Sequence, residues 1–325
     1  MKISNIVKNV LPGQRVESVH YRSKQTNGKI TMPLTGSSIT RPAAFIIVAA
    51  SAWVLAQADP RAAVKSGYAP VNGLKMYYEI HGTGQPLILL HGGLCSTEIF
   101  DDIMPSLSRN RQVIAIDLQA HGRTADIDRP LGYEAMADDV GGLIQYLGLG
   151  KVDVMGYSTG GEVALRTAIQ YPDAIRKLVI VSAAFSRDGW YPEIVAATTQ
   201  LGPGASEALK QKPMYQTYVR VAPRPGDWPL LVGKLGDMFR KDYDWSKEVA
   251  AIKAPTLLVF GDADAVRTVH AVQFFELLGG GQKDGGWDGS GISKAQLAIL
   301  PGTTHYTILS SPALVSTVST FLGAP

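Results

Sequence analysis

The stretch "VDVMGYSTGGEVAL", residues 152–165, decides how the rest of the chain reads. Val152, Val154 and Met155 lead in as a short apolar strand, and Gly156, Ser158 and Gly160 follow at spacing two. Val163, Ala164, Leu165, Ala168 and Ile169 then supply an apolar helical face that stops at Tyr171-Pro172. Strand, sharp turn and helix form the context in which Gly-x-Ser-x-Gly lifts a serine oxygen above a sheet. The same stretch lacks the Lys-Ser/Thr of a phosphate-binding loop, and its glycine spacing is not that of a dinucleotide fingerprint.

Outward from this motif, short apolar runs at residues 76–80, 86–90, 113–116, 178–181 and 256–260 read as further strands. Residues 133–147 and 161–170 read as intervening helices. Several strands are apolar almost throughout, as in a parallel sheet covered on both faces. The succession predicts an α/β fold with a mostly parallel central sheet flanked by helices. The alternation breaks over residues 185–254, which hold Pro192, Pro203, Pro213, Pro223, Pro225 and Pro229 together with Trp190, Trp228 and Trp245. An interval of that length predicts a helical lid inserted before the next strand. The catalytic core is then expected in residues 68–184 and 255–325. Residues 279–291, with seven glycines in thirteen positions, read as a flexible loop.

Composition narrows the function classes. With 325 residues, 46% of them apolar and 18% charged, the chain is a folded one that can bury a substantial core. A net charge of +3 without a basic stripe gives no reason to expect a nucleic-acid partner. Cys95 is the only cysteine, which excludes an intramolecular disulfide and a thiolate metal cluster. No His-x-x-x-His pair exists, and the carboxylates around Asp262 read as solvated turn residues, so no metal is expected.

Residues 43–56, "AAFIIVAASAWVLA", lie behind Arg41 and run into Ala-Gln-Ala. This reads as a secretory signal cleaved after Ala58. It falls short of the roughly 20 residues a membrane-spanning helix needs. Translation from Met32 would give the signal an ordinary length. Residues 1–58 are therefore expected to be an N-terminal extension outside the catalytic fold, its signal-like segment lying in residues 41–58. The mature protein is expected to be periplasmic or secreted with no stable membrane insertion, or cytoplasmic if the segment is retained.

A serine hydroxyl needs a base in contact, itself oriented by an acid. Of six histidines, His20 lies in the extension, His81 opens a turn and His270 starts a helix, which leaves His91, His121 and His305. His305 follows an apolar strand and a Pro-Gly turn in "ILPGTTHYTIL", residues 299–309, where a loop can reach a serine on a neighbouring turn. The strand "TLLVFGDADAV", residues 256–266, ends in Asp262 and Asp264, and the residues alone do not separate the two. Either gives the chain order nucleophile, acid, base.

Taken together, these elements resemble the α/β-hydrolase superfamily of serine hydrolases, and within it the lid-bearing esterase, lactonase and cofactor-free haloperoxidase-like branch. The resemblance spans residues 68–322 and rests on "LLHGG" (89–93), "VIAIDLQAHGRT" (113–124), "GYSTGG" (156–161), "LLVFGDADAV" (257–266) and "LPGTTH" (300–305). It implies an α/β-hydrolase fold with Ser158, Asp264 and His305 as the catalytic triad, because relatives place the acid last in Gly-x-x-Asp. Asp262 would then shape the turn. It also implies an oxyanion hole from the backbone N–H groups of Thr159 and of Gly93, the residue directly after His-Gly, with His91 bracing that loop. Losing one such donor costs on the order of 3 kcal/mol of transition-state stabilisation. No cofactor is implied. The chain departs from its relatives at Asp117–Thr124, where Ala120 stands in place of the first glycine of Asp-x-x-Gly-His-Gly-x-Ser. The turn must avoid a left-handed dihedral there or bear its cost. His121 reads as a structural turn residue, and Glu162 as charge in the first turn of a helix.

A serine nucleophile points away from epoxide and haloalkane hydrolysis, for which this superfamily uses an aspartate. The expected activity is cleavage of small to medium carboxylic esters or lactones, the small-molecule partners, through an acyl-enzyme on Ser158. The alternatives are a triad-bearing ligand receptor with slow turnover and a hydrolase of amide or carbon–carbon bonds. An amine-recognising peptidase would carry acidic side chains in the lid, where Glu193 and Glu207 are the only glutamates before Glu248. Trp190, Tyr191, Met214, Tyr215, Tyr218, Trp228 and Met238 suggest an apolar or aromatic substrate group, although packing of the lid is the expected role of each one singly.

Overall fold

The computed structural model describes residues 65–323. The signal-like segment, Met32 and the cleavage position lie outside these residues. Within them, no helix is long and apolar enough to cross a membrane.

Eight strands form one sheet: β1 (Lys65–Val71), β2 (Leu74–His81), β3 (Gln85–Leu90), β4 (Arg111–Ile116), β5 (Val152–Tyr157), β6 (Ile175–Val181), β7 (Thr256–Ala263) and β8 (Ala295–Thr304). Their order across the sheet is β1-β2-β4-β3-β5-β6-β7-β8. β1 pairs with β2, and β2 with β4, in antiparallel fashion, while β4, β3, β5, β6, β7 and β8 are parallel neighbours. β1 is an element the apolar pattern did not predict. It is joined to β2 by Asn72-Gly73, whose φ values of 49° and 84° give the two-residue turn that fits the twist of a hairpin.

The helices are α1 (Met104–Leu107), α2 (Tyr133–Tyr146), α3 (Thr159–Gln170), α4 (Pro192–Thr199), α5 (Ala205–Leu209), α6 (Pro213–Val221), α7 (Trp228–Phe239), α8 (Ser246–Val249), α9 (Thr268–Leu277) and α10 (Pro312–Gly323). The parallel strands bury both faces. In β3, Ile88 and Leu90 pack with Met136, Val140 and Leu143 of α2 and Val163 of α3 on one side. Leu87 and Leu89 pack with Met104 and Leu107 of α1 and Val318 and Phe321 of α10 on the other. This two-sided burial explains strands that are apolar without alternation.

Residues 185–254 fold as the helical pieces α4 to α8 between β6 and β7. Trp228, Leu231, Leu235 and Met238 make the buried face of α7. Lys234 on its other side is held by Asp126 Oδ2 at 2.6 Å and by the Ile127 and Arg129 carbonyls at 2.9 Å, which ties α7 to the loop after β4.

One strand differs from expectation. β8 does not end at Pro301-Gly302 but continues to Thr304, with a register shift opposite Gly261 and Ala263. It is an edge strand, where a proline lacking an N–H is tolerated. Asp262 lies at this irregularity, exposed, and accepts the Thr303 N–H at 3.1 Å.

The sheet order reverses at β3. β4 lies to one side of it and β5 to the other, so the connections leaving the carboxyl ends of β3 and β5 diverge and open a crevice. Leu90, the last residue of β3, is paired with Gly156, two residues before Ser158.

Candidate active site

Ser158 occupies the turn between β5 and α3 with φ 52° and ψ −129°, a left-handed conformation that a non-glycine residue adopts only under strain. Its neighbours make the turn sterically feasible. A Cβ on Gly156 would stand 2.0 Å from the Gly160 carbonyl oxygen, and one on Gly160 would stand 2.2 Å from that of Leu90. Only glycine at both positions lets α3 start against the end of β3. The turn is fixed by Ser158 N–H donating to Val181 O at 3.0 Å and by Gly161 N–H donating back to Ser158 O at 2.6 Å.

His305 follows β8, and its ring spans the gap between the two other polar groups. Nε2 lies 3.1 Å from Ser158 Oγ and Nδ1 lies 3.1 Å from Asp264 Oδ1. Asp264 leaves β7 immediately after the irregularity and is buried. Of the two aspartates open at the sequence level, the structure brings Asp264 to His305. Burial alone would raise the Asp264 carboxyl, but hydrogen bonds from His305, Ser182 and the Gly261 N–H override it and hold the group below the usual carboxylate range. A carboxylate that accepts the Nδ1–H leaves Nε2 as an acceptor for the serine proton. The backbone of His305 is fixed as well, since Tyr157 OH donates to its carbonyl at 2.8 Å.

Gly93 and Thr159 both line the cavity that Ser158 opens into. Among the described residues, neither backbone N–H donates to another backbone carbonyl. His91 braces the Gly93 loop from beneath: its Nδ1–H donates to Gly92 O at 2.8 Å and its Nε2 accepts the Leu118 N–H at 3.1 Å. Burial and the neighbouring His121 push the His91 imidazole down to about 3, so it stays neutral and can accept that bond. His121 is also buried and bonds Gln119 O through Nδ1 at 2.8 Å. Ala120 takes the left-handed conformation, φ 66°; the turn bears the cost of the missing glycine rather than avoiding it.

The cavity has a volume of about 240 Å³. Leu94, Ile194, Val195, Leu201, Leu235 and Phe239 form its apolar wall, with Ile194, Val195 and Leu201 contributed by α4 and the turn after it. Of the seven lid side chains singled out from the sequence, Trp190 lines this cavity. Tyr218, Trp228 and Met238 are buried in the core, Met214 and Tyr215 pack against it, and Tyr191 is exposed. The indole N–H of Trp228 donates to Ser206 O at 3.0 Å, a packing role.

Sequence reasoning missed three groups. Ser182, at the end of β6, donates its hydroxyl to Asp264 Oδ2 at 2.6 Å; a serine just past an apolar strand gives no sign of this. Arg187 lines the cavity while bonded to Phe239 O and Asp242. Glu162 lies in the first turn of α3 as expected, but with a further role. Its side chain is buried at the cavity, where Oε1 accepts from Tyr243 OH at 2.5 Å and Trp190 Nε1–H at 3.1 Å.

Comparison with known proteins places this geometry. A family model described as the alpha/beta hydrolase fold matches residues 85–278. A soluble epoxide hydrolase of Corynebacterium sp. is 38% identical over 116 residues, 35% of this chain and 40% of that protein, so the match spans under half the relative's length. A pimeloyl-[acyl-carrier protein] methyl ester esterase of Neisseria meningitidis is 33% identical over 200 residues, 55% of this chain and 74% of that one. The solved enol-lactonase of Burkholderia xenovorans superposes with a TM-score of 0.61 at 20% identity, covering 79% of this chain and all of that chain.

Proposed function

The chain belongs to the α/β-hydrolase family, and from that premise we propose that it is a serine hydrolase cleaving small to medium carboxylic esters or lactones through an acyl-enzyme on Ser158. The observation that carries this reading is the His305 ring set between Ser158 Oγ and Asp264, 3.1 Å from each. As Oγ attacks the substrate carbonyl, His305 Nε2 takes its proton and Asp264 offsets the charge that forms on the ring. The N–H groups of Gly93 and Thr159 receive the oxyanion. His305 returns the proton to the departing alcohol oxygen, leaving the acyl group on Ser158. Water then gives a proton to His305 and attacks the acyl-enzyme, and His305 returns that proton to Ser158 Oγ as the acid departs.

Esters and lactones are favoured for two reasons. The position that carries an aspartate in epoxide hydrolysis carries Ser158 here, and the pocket wall of Ile194, Val195, Leu235 and Phe239 suits an apolar acyl or alcohol group. Relatives named for ester and lactone cleavage are consistent with this. The helical segment over Ser158 acts as the lid. Turnover of p-nitrophenyl acetate, butyrate and octanoate by the full chain and by Ser158→Ala tests the reading. Activity on the shorter esters that Ser158→Ala lacks supports it, and equal, negligible turnover by both forms overturns it.

A further inference from the structure

We propose that Glu162 is a positioning residue for the acyl-transfer step, its carboxylate fixing Trp190 and Tyr243 and, through Trp190, the ring of His305. The inference rests on the serine-hydrolase reading of the same site. Glu162 lies one helical turn beyond Ser158 on α3 and is 1% exposed. Its carboxyl gathers donors from two directions: Tyr133 of α2, and Tyr243 and Trp190 of the lid segment. Trp190 Nε1 is also 3.2 Å from the Tyr243 oxygen, so the three form one closed cluster. The Trp190 ring then stands edge-on to His305, centroids 5.6 Å apart at 72°. The backbone of Trp190 bridges to Val266, and the next N–H donates to Ala265 O at 3.1 Å, immediately beyond Asp264. The lid segment that carries Trp190 thus rides on the acid loop, and Glu162 sets where its indole points.

A buried carboxylate held only by neutral donors is costly to keep, since burial disfavours the charged form. An aliphatic side chain would pack there at no such cost, but could not orient three donors at once. Glutamine could not replace it without conflict, because its amide would turn an N–H toward one of those donors.

The cluster also responds to protons. Burial, opposed by the three donors, pushes the Glu162 carboxyl up to about 7. When protonated it carries an O–H of its own, and one donor loses its acceptor. The groups facing it are Tyr133 on α2 and Tyr243 and Trp190 from the lid segment, and Ser158, Arg187 and His305 line the same cavity. Arg187 on the cavity wall is occupied by Asp242, and Arg166, the next turn of α3, by Glu134 and Glu248. Protonation of Glu162 is therefore expected to lower activity on the acid side of the pH profile.

The test is kcat/KM for p-nitrophenyl butyrate from about pH 5 to 9 with the full chain, Glu162→Gln and Trp190→Phe, native folding being confirmed by near-ultraviolet circular dichroism. The wild type is expected to show a steeper acid limb than Glu162→Gln. Glu162→Gln is expected to lose that added steepness and to have a kcat about tenfold lower at pH 8 with little change in KM. Trp190→Phe keeps the aromatic body but loses the N–H, and is expected to lower kcat and flatten the acid limb in the same sense. If Glu162→Gln does not fold, the comparison of the wild type with Trp190→Phe decides. Variants that match the wild type's kcat and slope would overturn the inference while Ser158→Ala inactivity left the parent reading intact.

Discussion

The Ser182 hydroxyl donates to Asp264 Oδ2 at 2.6 Å, from a residue that itself holds a left-handed φ of 52° at the end of β6. With the Gly261 N–H at 2.9 Å on the same oxygen, it holds Oδ1, which also accepts the Val266 N–H at 3.2 Å, toward His305. Ser182→Ala removes a hydrogen bond to a buried charge and is expected to destabilise the protein by about 1.5 to 3 kcal/mol at neutral pH. The Asp264 carboxyl is held below its unfolded value, so its stabilisation is present at neutral pH and is lost as pH falls through the folded value. Urea unfolding should therefore separate the variant from the wild type at pH 7 and bring the two together in strong acid. A difference that persists unchanged into acid would contradict this account.

Gly160 allows α3 to begin against β3. A methyl group there meets Leu90 O at 2.2 Å and His91 O at 2.4 Å, both rigid backbone. Gly160→Ala is expected to cost at least about 3 kcal/mol, the upper end of overpacking, and to remove activity with it. Soluble yield and urea midpoint give the first, ester turnover the second. A stable and active Gly160→Ala would mean that the turn can rearrange.

Ala120 offers the opposite case. Its φ of 66° costs about 1 to 2 kcal/mol for a residue with a Cβ, and glycine would remove that strain. Against this stands the greater freedom glycine confers on the unfolded chain, about 0.4 to 1 kcal/mol. Ala120→Gly is expected to be stabilising by about 0.5 to 1 kcal/mol, visible as a raised urea midpoint with the slope unchanged. A lowered midpoint would show that the alanine methyl contributes more by packing than it loses by strain.

These outcomes bear on what the sequence made legible. The parallel strands and α2 and α3 were readable because two-sided burial and helical periodicity leave their mark in local composition. Ser158 and His305 were readable because their turns need glycine and proline at fixed offsets. Asp264 was separable from Asp262 only by resemblance, since both end the same strand and only the fold directs one inward. β1 went unread although Asn72-Gly73 signals a hairpin turn, because its strand is polar and half exposed. Glu162 and Ser182 were out of reach for a different reason. Their partners lie 28 to 82 residues away in the chain, and nothing local distinguishes a buried acceptor from a solvated charge.

Three buried histidines set the response to acid. Burial pushes His91 down to about 3, and His121 and His270 down to about 4, from 6.5. Between 6.5 and about 4 the unfolded chain holds protons on these rings that the folded one refuses, so they draw stability down as pH falls. Glu162, raised to about 7, and Asp117, raised to about 6, both by burial, act in the other direction over an overlapping range. Their folded forms hold protons the unfolded chain has released, so they lose stability as pH rises. The histidines outweigh these two carboxyls, and urea stability is expected to fall from pH 6 to pH 5. Stability that rises over that interval would contradict the buried, neutral state of the histidines.

The most direct test of the account is covalent capture of the nucleophile. The native full chain is treated with an alkyl fluorophosphonate, and the adduct is located by intact mass and peptide mapping. The account predicts one adduct per chain on the peptide containing Ser158, lost in Ser158→Ala and strongly slowed in His305→Ala. An unmodified Ser158 in folded protein, or an adduct on another residue that persists in Ser158→Ala, would contradict it.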